Sequence, residues 1–419
     1  MRVSGSVRVP GDKSITHRAL LFAALAEGRS EVDGALTSLD ARSSARVLRQ
    51  LGARVTSLRQ GTTVRITGCG RFRPPSGPLF CGNSGTTTRL LLGLLAAHPF
   101  EATLTGDASL SRRPMRRVTV PLSEMGARFV EGSGDGLPLT VQGGALRPLR
   151  YAMPVASAQI KSALLLAGVA GRVDVSLREP NGRSRDHTER LLHAFGYGIG
   201  ERDGWIEFRP GGIITPFRLV VPGDPSSAAF LIGVAILAEH GELRIERVGV
   251  NPTRTGFLQV LRRMGAKITT ENATEHFGEP VADIVVGPAR LRATEVAAGE
   301  IPGLIDEIPL LAVLASRAEG ASIFRDVGEL RVKESDRLGL IAENLRAVGV
   351  LADVLGDDLI VHGSDTVPAG PVRTAGDHRL AMAFAVLGTV SGADVRVDDL
   401  ACADVSFPRF PDALRHISG

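Results

Sequence analysis

Cysteine is scarce in this chain: three residues in 419, at Cys69, Cys81 and Cys402. An odd number without metal-like spacing argues against a disulfide framework or a zinc site and fits a reducing cytoplasm. Aromatic residues make up only 4%, with one Trp and two Tyr, too few for platforms that stack nucleic-acid bases. The net charge of +4 is a mild excess, not a polyanion-binding surface. Nowhere do about 18 apolar residues run together, so no membrane span is expected. The opening MRVSGSVRVPG offers no apolar stretch suited to a secretory leader. No GxGxxG occurs, and Gly11-Asp12-Lys13-Ser14 misses the P-loop spacing because Asp12 separates glycine from lysine. No Ser-His-Asp or Cys-His arrangement can be argued. Carboxylates do not cluster without cations, so no metal is expected.

Hydrophobic residues reach 43%, which suits a globular protein, and the length suggests two domains. A pattern recurs along the chain. VPGDKSITHRALLFAALAEG at the start is echoed by FCGNSGTTTRLLLGLLAA, MPVASAQIKSALLLAGVAG, VPGDPSSAAFLIGVAILAEHG, IPGLIDEIPLLAVLASRAEG and TAGDHRLAMAFAVLGTVSGA. The anchors Pro10, Cys81, Pro154, Pro222, Pro302 and Ala375 recur roughly every 70 to 80 residues, too long for a common solenoid unit. Each opens an Ala/Leu-rich helix. Later in five of the repeats Gly52, Gly126, Gly196, Gly265 and Gly349 follow an amphipathic helix, where glycine caps by adopting positive φ. The sixth repeat runs out of chain at that point. The N-terminal RVSGSVRVP reads as an unattached strand, expected to complete the sixth repeat. One domain is then discontinuous, over 1–11 plus 223–419, with the other inserted at 12–222.

The anchor helices are apolar nearly all round, as buried helices are. Their exposed starts carry orphan N–H groups and a partial positive charge, so several together make an anion site. Small residues at these starts are explained equally well as caps. Caps do not explain why Lys13, Arg18, Arg89, Lys161, Lys333, Arg337 and Arg379 gather at the anchors and in nearby polar loops. Four clusters stand out: Lys13-Ser14 with Arg18; Asn83 to Arg89 around Gly85; Ser157-Ala158-Gln159 with Arg185; and Asp306 with Lys333, Glu334, Arg337 and Arg379. Each has a bland reading as a solvated helix face, a Gly/Ser/Thr loop, a cap or a salt bridge. Together they describe a cleft between two domains that holds small, multiply anionic molecules.

Six of these stretches, PGDKSITHRAL, GNSGTTTRL, SAQIKSALLLAG, SRDHTERLL, RVKESDRL and GDHRLAMA, resemble the 5-enolpyruvylshikimate-3-phosphate synthase family, in its order and spacing over nearly the whole chain. The resemblance implies a two-domain inside-out α/β barrel, each domain built of three β-α-β-α-β-β repeats. It implies transfer of the enolpyruvyl group of phosphoenolpyruvate to the 5-hydroxyl of shikimate 3-phosphate, without a cofactor, in a cytoplasmic monomer. Lys13, Ser14, Arg18, Ser157, Ala158, Gln159, Arg185, Asp306 and Lys333 would hold shikimate 3-phosphate. Ala158 stands where some relatives carry a serine, so only its backbone can contribute. Lys13, Gly85, Arg113, Gln159, Arg337 and Arg379 would hold phosphoenolpyruvate; Asn83, Thr86 and Arg89 share that loop and rank lower. Asp306 would accept the 5-hydroxyl proton, and Glu334 with Lys13 would manage the proton at C3. Substrates are expected to close the domains.

Two departures matter. Many relatives place a lysine before the Phe-Pro pair near the C-terminus; here Val405 stands there. GDKSIT, SAQIK, RDHTE and Asn251–Arg254 resemble a glyphosate-tolerant subgroup, but Gly85 is not replaced by alanine, so intermediate tolerance at best is expected. The nearest rival is the enolpyruvyl transferase acting on UDP-N-acetylglucosamine, whose reactive cysteine has no counterpart in TGDASLSRRPMRR. A non-catalytic anion- or RNA-binding module on the same repeat is the other alternative. It lacks the aromatics, and Asp306 and Glu334 would repel its phosphates.

Overall fold

The computed structural model describes residues 1–417 other than 133 and 181. The chain divides into two compact units. The middle unit is Gly11–Val221 together with His276–Glu279; the flanking unit is Met1–Pro10, Pro222–Glu275 and Pro280 onward.

In the middle unit the helices are α1 (Lys13–Leu25), α2 (Leu39–Gln50), α3 (Gly85–Leu95), the single turn α4 (Ala108–Ser111), α5 (Arg116–Glu124), α6 (Ala158–Gly171) and α7 (His187–Ala194). The flanking unit holds α8 (Pro225–Leu237), α9 (Gly256–Arg263), α10 (Ile308–Ala315), α11 (Arg337–Ala347), α12 (His378–Leu387) and α13 (Phe410–Ile417). The anchor helices α1, α3, α6, α8, α10 and α12 are buried along most of their lengths. Their lack of a polar face leaves them no stable place except a core. Within the middle unit α3 and α6 approach so closely that a Cβ on Gly93 would lie 2.0 Å from the Ala163 carbonyl oxygen. Only glycine permits that contact.

Each complete repeat contributes a four-stranded sheet with one parallel pair and an antiparallel hairpin. In the second repeat Leu79–Phe80 runs parallel to Glu101–Thr105, which pairs with Leu139–Gln142 and then Arg128–Glu131. With α3 after the first strand and α5 after the second, the order is β-α-β-α-β-β. Gly52, Gly126, Gly196, Gly265 and Gly349 all have positive φ, and each precedes a strand, as the capping pattern predicts.

One expectation fails. The N-terminal strand does not complete the sixth repeat. Ser6–Val7 pairs in parallel with Leu243–Gly249 and opens the sheet of the fourth repeat. The equivalent strand of the first repeat is Arg218–Val220, parallel to Glu27–Asp33. The reason lies in the chain path, which changes unit just after Pro10 and again just after Val221. The strand preceding each passage stays in the unit being left and pairs with the repeat whose own opening strand is missing. The sixth repeat keeps a two-stranded sheet, Ala369–Val372 with Asp394–Val397, among the described residues.

Candidate active site

The middle unit gathers one cluster. Asp12 caps α1, its Oδ1 accepting from the Ile15 N–H at 2.8 Å. That fixes Lys13 and Ser14 in the first turn. Lys13 Nζ lies 3.5 Å from Asp40 Oδ2. Arg18 follows one turn later and is almost wholly buried. Its Nε donates to Thr188 Oγ1 at 2.7 Å, its Nη2 to Ser162 Oγ at 2.6 Å and its Nη1 to the Ser14 carbonyl at 3.0 Å. Burial pulls its pKa down to about 10 against the pull of Glu189 and Asp12, with Arg185 adding to the decrease. Arg185 Nη1 donates to Ser14 Oγ at 3.4 Å. Lys13, Ser14, Arg18 and Arg185 thus form one group.

The second group of this unit surrounds the start of α3, capped by Ser84, whose Oγ accepts from the Thr87 N–H at 3.2 Å. A Cβ placed on Gly85 would lie 3.0 Å from Arg89 Nη1 and 3.4 Å from Arg113 Nη1. Arg89 donates to Gln159 Oε1 at 2.5 Å, and Gln159 Nε2 to Thr86 Oγ1 at 3.1 Å. Arg113 donates to Asn83 Oδ1 at 2.6 Å, and Asn83 Nδ2 to Asp107 Oδ2 at 2.8 Å. Ser157 is the N-cap of α6 but makes no side-chain cap bond. The backbone amides of the α6 first turn, beginning at Ala158, are orphan donors. The start of α6, without a side-chain cap, and the nearby guanidinia favour an anion carrying several oxygens.

Lys161 is a correction. The sequence places it with the anion-binding cations, but its ammonium is buried between Glu179 Oε2 at 3.0 Å and Glu189 Oε1 at 2.8 Å and also donates to the Ser184 carbonyl at 3.1 Å. All three of its donors are spent. Burial alone would lower its pKa; the two glutamates raise it overall.

The flanking unit gathers the other cluster. Asp306 lies in a 3-10 turn, Ile305–Glu307, leading into α10. Arg337, at the start of α11, is 1% exposed. Its Nε donates to Asp377 Oδ2 at 2.7 Å, Nη2 to Glu334 Oε2 at 2.5 Å and Nη1 to Asp306 Oδ1 at 3.4 Å. Burial opposes the charge on Arg337, yet Asp377, Glu334 and Asp306 together raise its pKa. Arg379 Nη1 donates to the Asp306 carbonyl at 3.0 Å, and its Nη2 lies 3.5 Å from Asp306 Oδ2. Lys333 is half-buried. Burial lowers its pKa, Arg337 adds to the decrease, and Asp306, Glu329 and Glu334 oppose it. Asp306, Glu334, Arg337 and Arg379 therefore meet in one ion-pair network, with Lys333 in its field. Val405 ends a 3-10 turn, Ala401–Val405, and its side chain has no donor to replace a lysine.

Several partners escape a reading of the sequence. Asp377 holds Arg337 and also caps α12 by accepting from the Arg379 N–H at 3.0 Å. Glu307 accepts from Ser226 Oγ at 2.5 Å and lies 3.5 Å from Arg379 Nη1. Asp107, Thr188 and Ser162 act likewise in the middle unit. Asp377 sits within the GDHR motif, where the arginine, not the aspartate, has the chemistry of an anion ligand. Cys81 is fully buried, and burial pushes its thiol pKa up to about 11, so it is not a nucleophile. Among the described residues no group of three or more His, Cys, Asp or Glu is placed to hold a metal ion, and no helix is long and apolar enough to cross a membrane.

Residues 1–414 match the family model for EPSP synthase (3-phosphoshikimate 1-carboxyvinyltransferase). The chain is 47% identical over 420 residues to 3-phosphoshikimate 1-carboxyvinyltransferase of Xanthomonas campestris pv. campestris (strain B100), covering all of this chain and 95% of that one. It is 44% identical over 418 residues to the protein of the same name from Desulfitobacterium hafniense (strain DSM 10664 / DCB-2), covering all of this chain and 96% of that one. The EPSP synthase structure from Acinetobacter baumannii superposes with a TM-score of 0.87 at 38% identity, over 99% of this chain and 96% of that one. The enolpyruvyl transferase NikO from Streptomyces tendae shares the fold, with a TM-score of 0.78 at 18% identity, over 99% and 95% of the two chains. With two cation clusters set at helix starts and likeness over its full length, the chain belongs to the EPSP synthase family, the 3-phosphoshikimate 1-carboxyvinyltransferases.

Proposed function

We propose that both clusters serve one reaction, in which the 5-hydroxyl oxygen of shikimate 3-phosphate attacks C2 of phosphoenolpyruvate. The enzyme transfers the enolpyruvyl group and releases phosphate, the step its family performs in aromatic amino-acid biosynthesis. Family membership over the whole length carries the reading. The clusters supply the chemistry it needs.

Shikimate 3-phosphate is assigned to Lys13, Ser14, Arg18, Ser157, the Ala158 backbone, Gln159, Arg185, Asp306 and Lys333. Phosphoenolpyruvate is assigned to Lys13, Gly85, Arg113, Gln159, Arg337 and Arg379. Attack forms the O–C2 bond while C3 gains a proton, giving a tetrahedral adduct. Loss of a C3 proton then expels phosphate and restores the double bond. Asp306 is the acceptor of the 5-hydroxyl proton. Its contacts to Arg337 and Arg379 are long, at 3.4 and 3.5 Å, whereas Asp377 holds Arg337 at 2.7 Å. An incoming carboxylate can replace Asp306 on the guanidinia and leave it to the hydroxyl. Glu334, beside Arg337, and Lys13 move the proton at C3. The arginines stabilise the departing phosphate. Without the C-terminal lysine, Lys13, Arg113, Arg337 and Arg379 carry the phosphoenolpyruvate charge.

We also infer a monomer acting in a reducing, cytoplasmic setting, which three unpaired thiols support. The decisive experiment measures phosphate release from phosphoenolpyruvate with shikimate 3-phosphate and, separately, with UDP-N-acetylglucosamine. Turnover with the first acceptor alone is expected. Turnover with the second alone, or with neither, overturns the assignment.

A further inference from the structure

A polar chain inside the middle unit takes no part in the reaction described above. His17 lies on α1 one turn after Lys13, with its ring fully buried. Its Nδ1 is 2.8 Å from Ser44 Oγ on α2. Ser44 Oγ is 2.7 Å from Thr87 Oγ1 on α3. The Thr87 hydroxyl donates to Ser84 Oγ at 2.7 Å, and Ser84 is the N-cap of α3. Ser44, Thr87 and Ser84 are as fully buried as His17.

Burying four polar side chains among leucines and alanines carries a desolvation cost that apolar residues would avoid. Apolar contacts are not directional, so helices held by them alone tolerate small slips. A run of hydrogen bonds does not. This run begins four residues after Lys13, on the same face of α1, and ends at the residue before Gly85. The residues beside its two ends, Lys13 and Gly85, belong to the assigned substrate contacts.

We propose that His17 is a positioning residue: through Ser44 and Thr87 it fixes the Ser84 cap and holds the Gly85 end of α3 in register with Lys13. This rests on the phosphoenolpyruvate site proposed above. The donor order follows from the geometry. Thr87 spends its hydroxyl proton on Ser84, so its oxygen accepts from Ser44. The Ser44 oxygen then accepts from His17, which must carry its proton on Nδ1 and leave Nε2 bare. Nε2 has no hydrogen-bond partner among the described residues, consistent with that tautomer. Burial, with Lys13 and Arg18 adding, pulls the pKa of His17 down to about 3 and keeps the ring neutral.

Two measurements test this. In the unliganded protein, nitrogen NMR with His17→Asn for assignment should show Nδ1 protonated and Nε2 bare for residue 17. A proton on Nε2 instead would break the donor order and end the proposal. In steady-state kinetics Thr87→Val and His17→Leu should each raise KM for phosphoenolpyruvate about tenfold, equivalent to about 1.4 kcal/mol. KM for shikimate 3-phosphate should stay within about twofold. The double variant should be no worse than either single one, and His17→Asn, which can present an amide N–H where Nδ1 stood, should recover most of the loss. Equal rises in both KM values, additive losses or no rise would overturn the proposal. Should His17→Leu not fold, Thr87→Val with Ser44→Ala decides it. A wild-type protein inactive on both substrates defeats the functional reading, while the NMR result still judges the relay.

Discussion

Arg337 donates its Nε–H to Asp377 Oδ2 across 2.7 Å, and neither side chain reaches solvent. The same carboxylate caps α12 through the Arg379 N–H. One residue thus orients two of the guanidinia assigned to phosphoenolpyruvate, one through its side chain and the other through its backbone. Asp377→Ala should lose about 3 to 5 kcal/mol of stability, because a buried charge is left without its fully buried partner, and should raise KM for phosphoenolpyruvate. Urea unfolding and initial-rate kinetics check both. An unchanged midpoint would show that Glu334 and Asp306 suffice to hold Arg337.

Gly85→Ala tests the first turn of α3. The added methyl would meet Arg89 Nη1 at 3.0 Å and Arg113 Nη1 at 3.4 Å. Side-chain ends can usually give way, but Arg89 is held by Gln159 and by the Pro114 carbonyl at 3.1 Å. Moving it breaks those bonds. KM for phosphoenolpyruvate should rise about tenfold, the scale of one lost hydrogen bond, while calorimetric affinity for shikimate 3-phosphate stays level. A parallel fall in both affinities would mean that the fold, not the phosphoenolpyruvate contact, has changed.

Much of this was legible in the sequence, and the omissions have one cause. Helix starts, apolar all-round helices and the positive-φ glycines are local, so Gly52 and its counterparts could be found by spacing. Arg337, Arg379 and Asp306 announced themselves by sitting in polar motifs. Their partner Asp377 did not, because an ion pair between residues 40 positions apart leaves no local trace. Lys161 reads as an anion-binding cation in sequence for the same reason: its glutamates come from the segment after the α6 helix and from α7. Position along the chain puts the N-terminal strand with the sixth repeat, whereas its pairing depends on where the chain changes unit.

Lys161→Met should expose how the middle unit treats that lysine. Glu179 and Glu189 would be left as buried carboxylates without their cation, at a cost of about 3 to 5 kcal/mol. The Ser184 carbonyl would also lose its donor, one residue before Arg185. KM for shikimate 3-phosphate should therefore rise more than KM for phosphoenolpyruvate. Denaturant unfolding read beside the two KM values separates the effects, and a stable variant with unaltered kinetics would show the triad to be dispensable.

Lys333 sets an alkaline limit. Its pKa lies below the ordinary lysine value of 10.5, chiefly through burial, and its cationic form is the one that attracts a phosphorylated substrate. As pH rises through that lowered pKa the charge disappears, so kcat/KM for shikimate 3-phosphate should fall earlier than an ordinary lysine would allow. Lys333→Arg should move that limb upward, since a guanidinium keeps its proton. A pH profile of kcat/KM measures the displacement, and coincident profiles would remove Lys333 from the substrate contacts.

His17 sets an acid limit on stability. In the unfolded chain it takes up a proton near pH 6.5; in the folded protein burial delays this to about pH 3. Between those values the unfolded state binds more protons than the folded one, so stability falls as pH falls, by up to about 1.4 kcal/mol per pH unit. Above pH 6.5 the term is flat. His17→Asn does not titrate and should lose about 2 kcal/mol less than the wild type between pH 7 and pH 5, other ionisations being common to both. Urea unfolding at the two pH values gives the difference directly. Equal losses in both proteins would mean that His17 protonates within the fold as readily as in water, and the buried chain from Lys13's helix to the cap of α3 would have to open to let it.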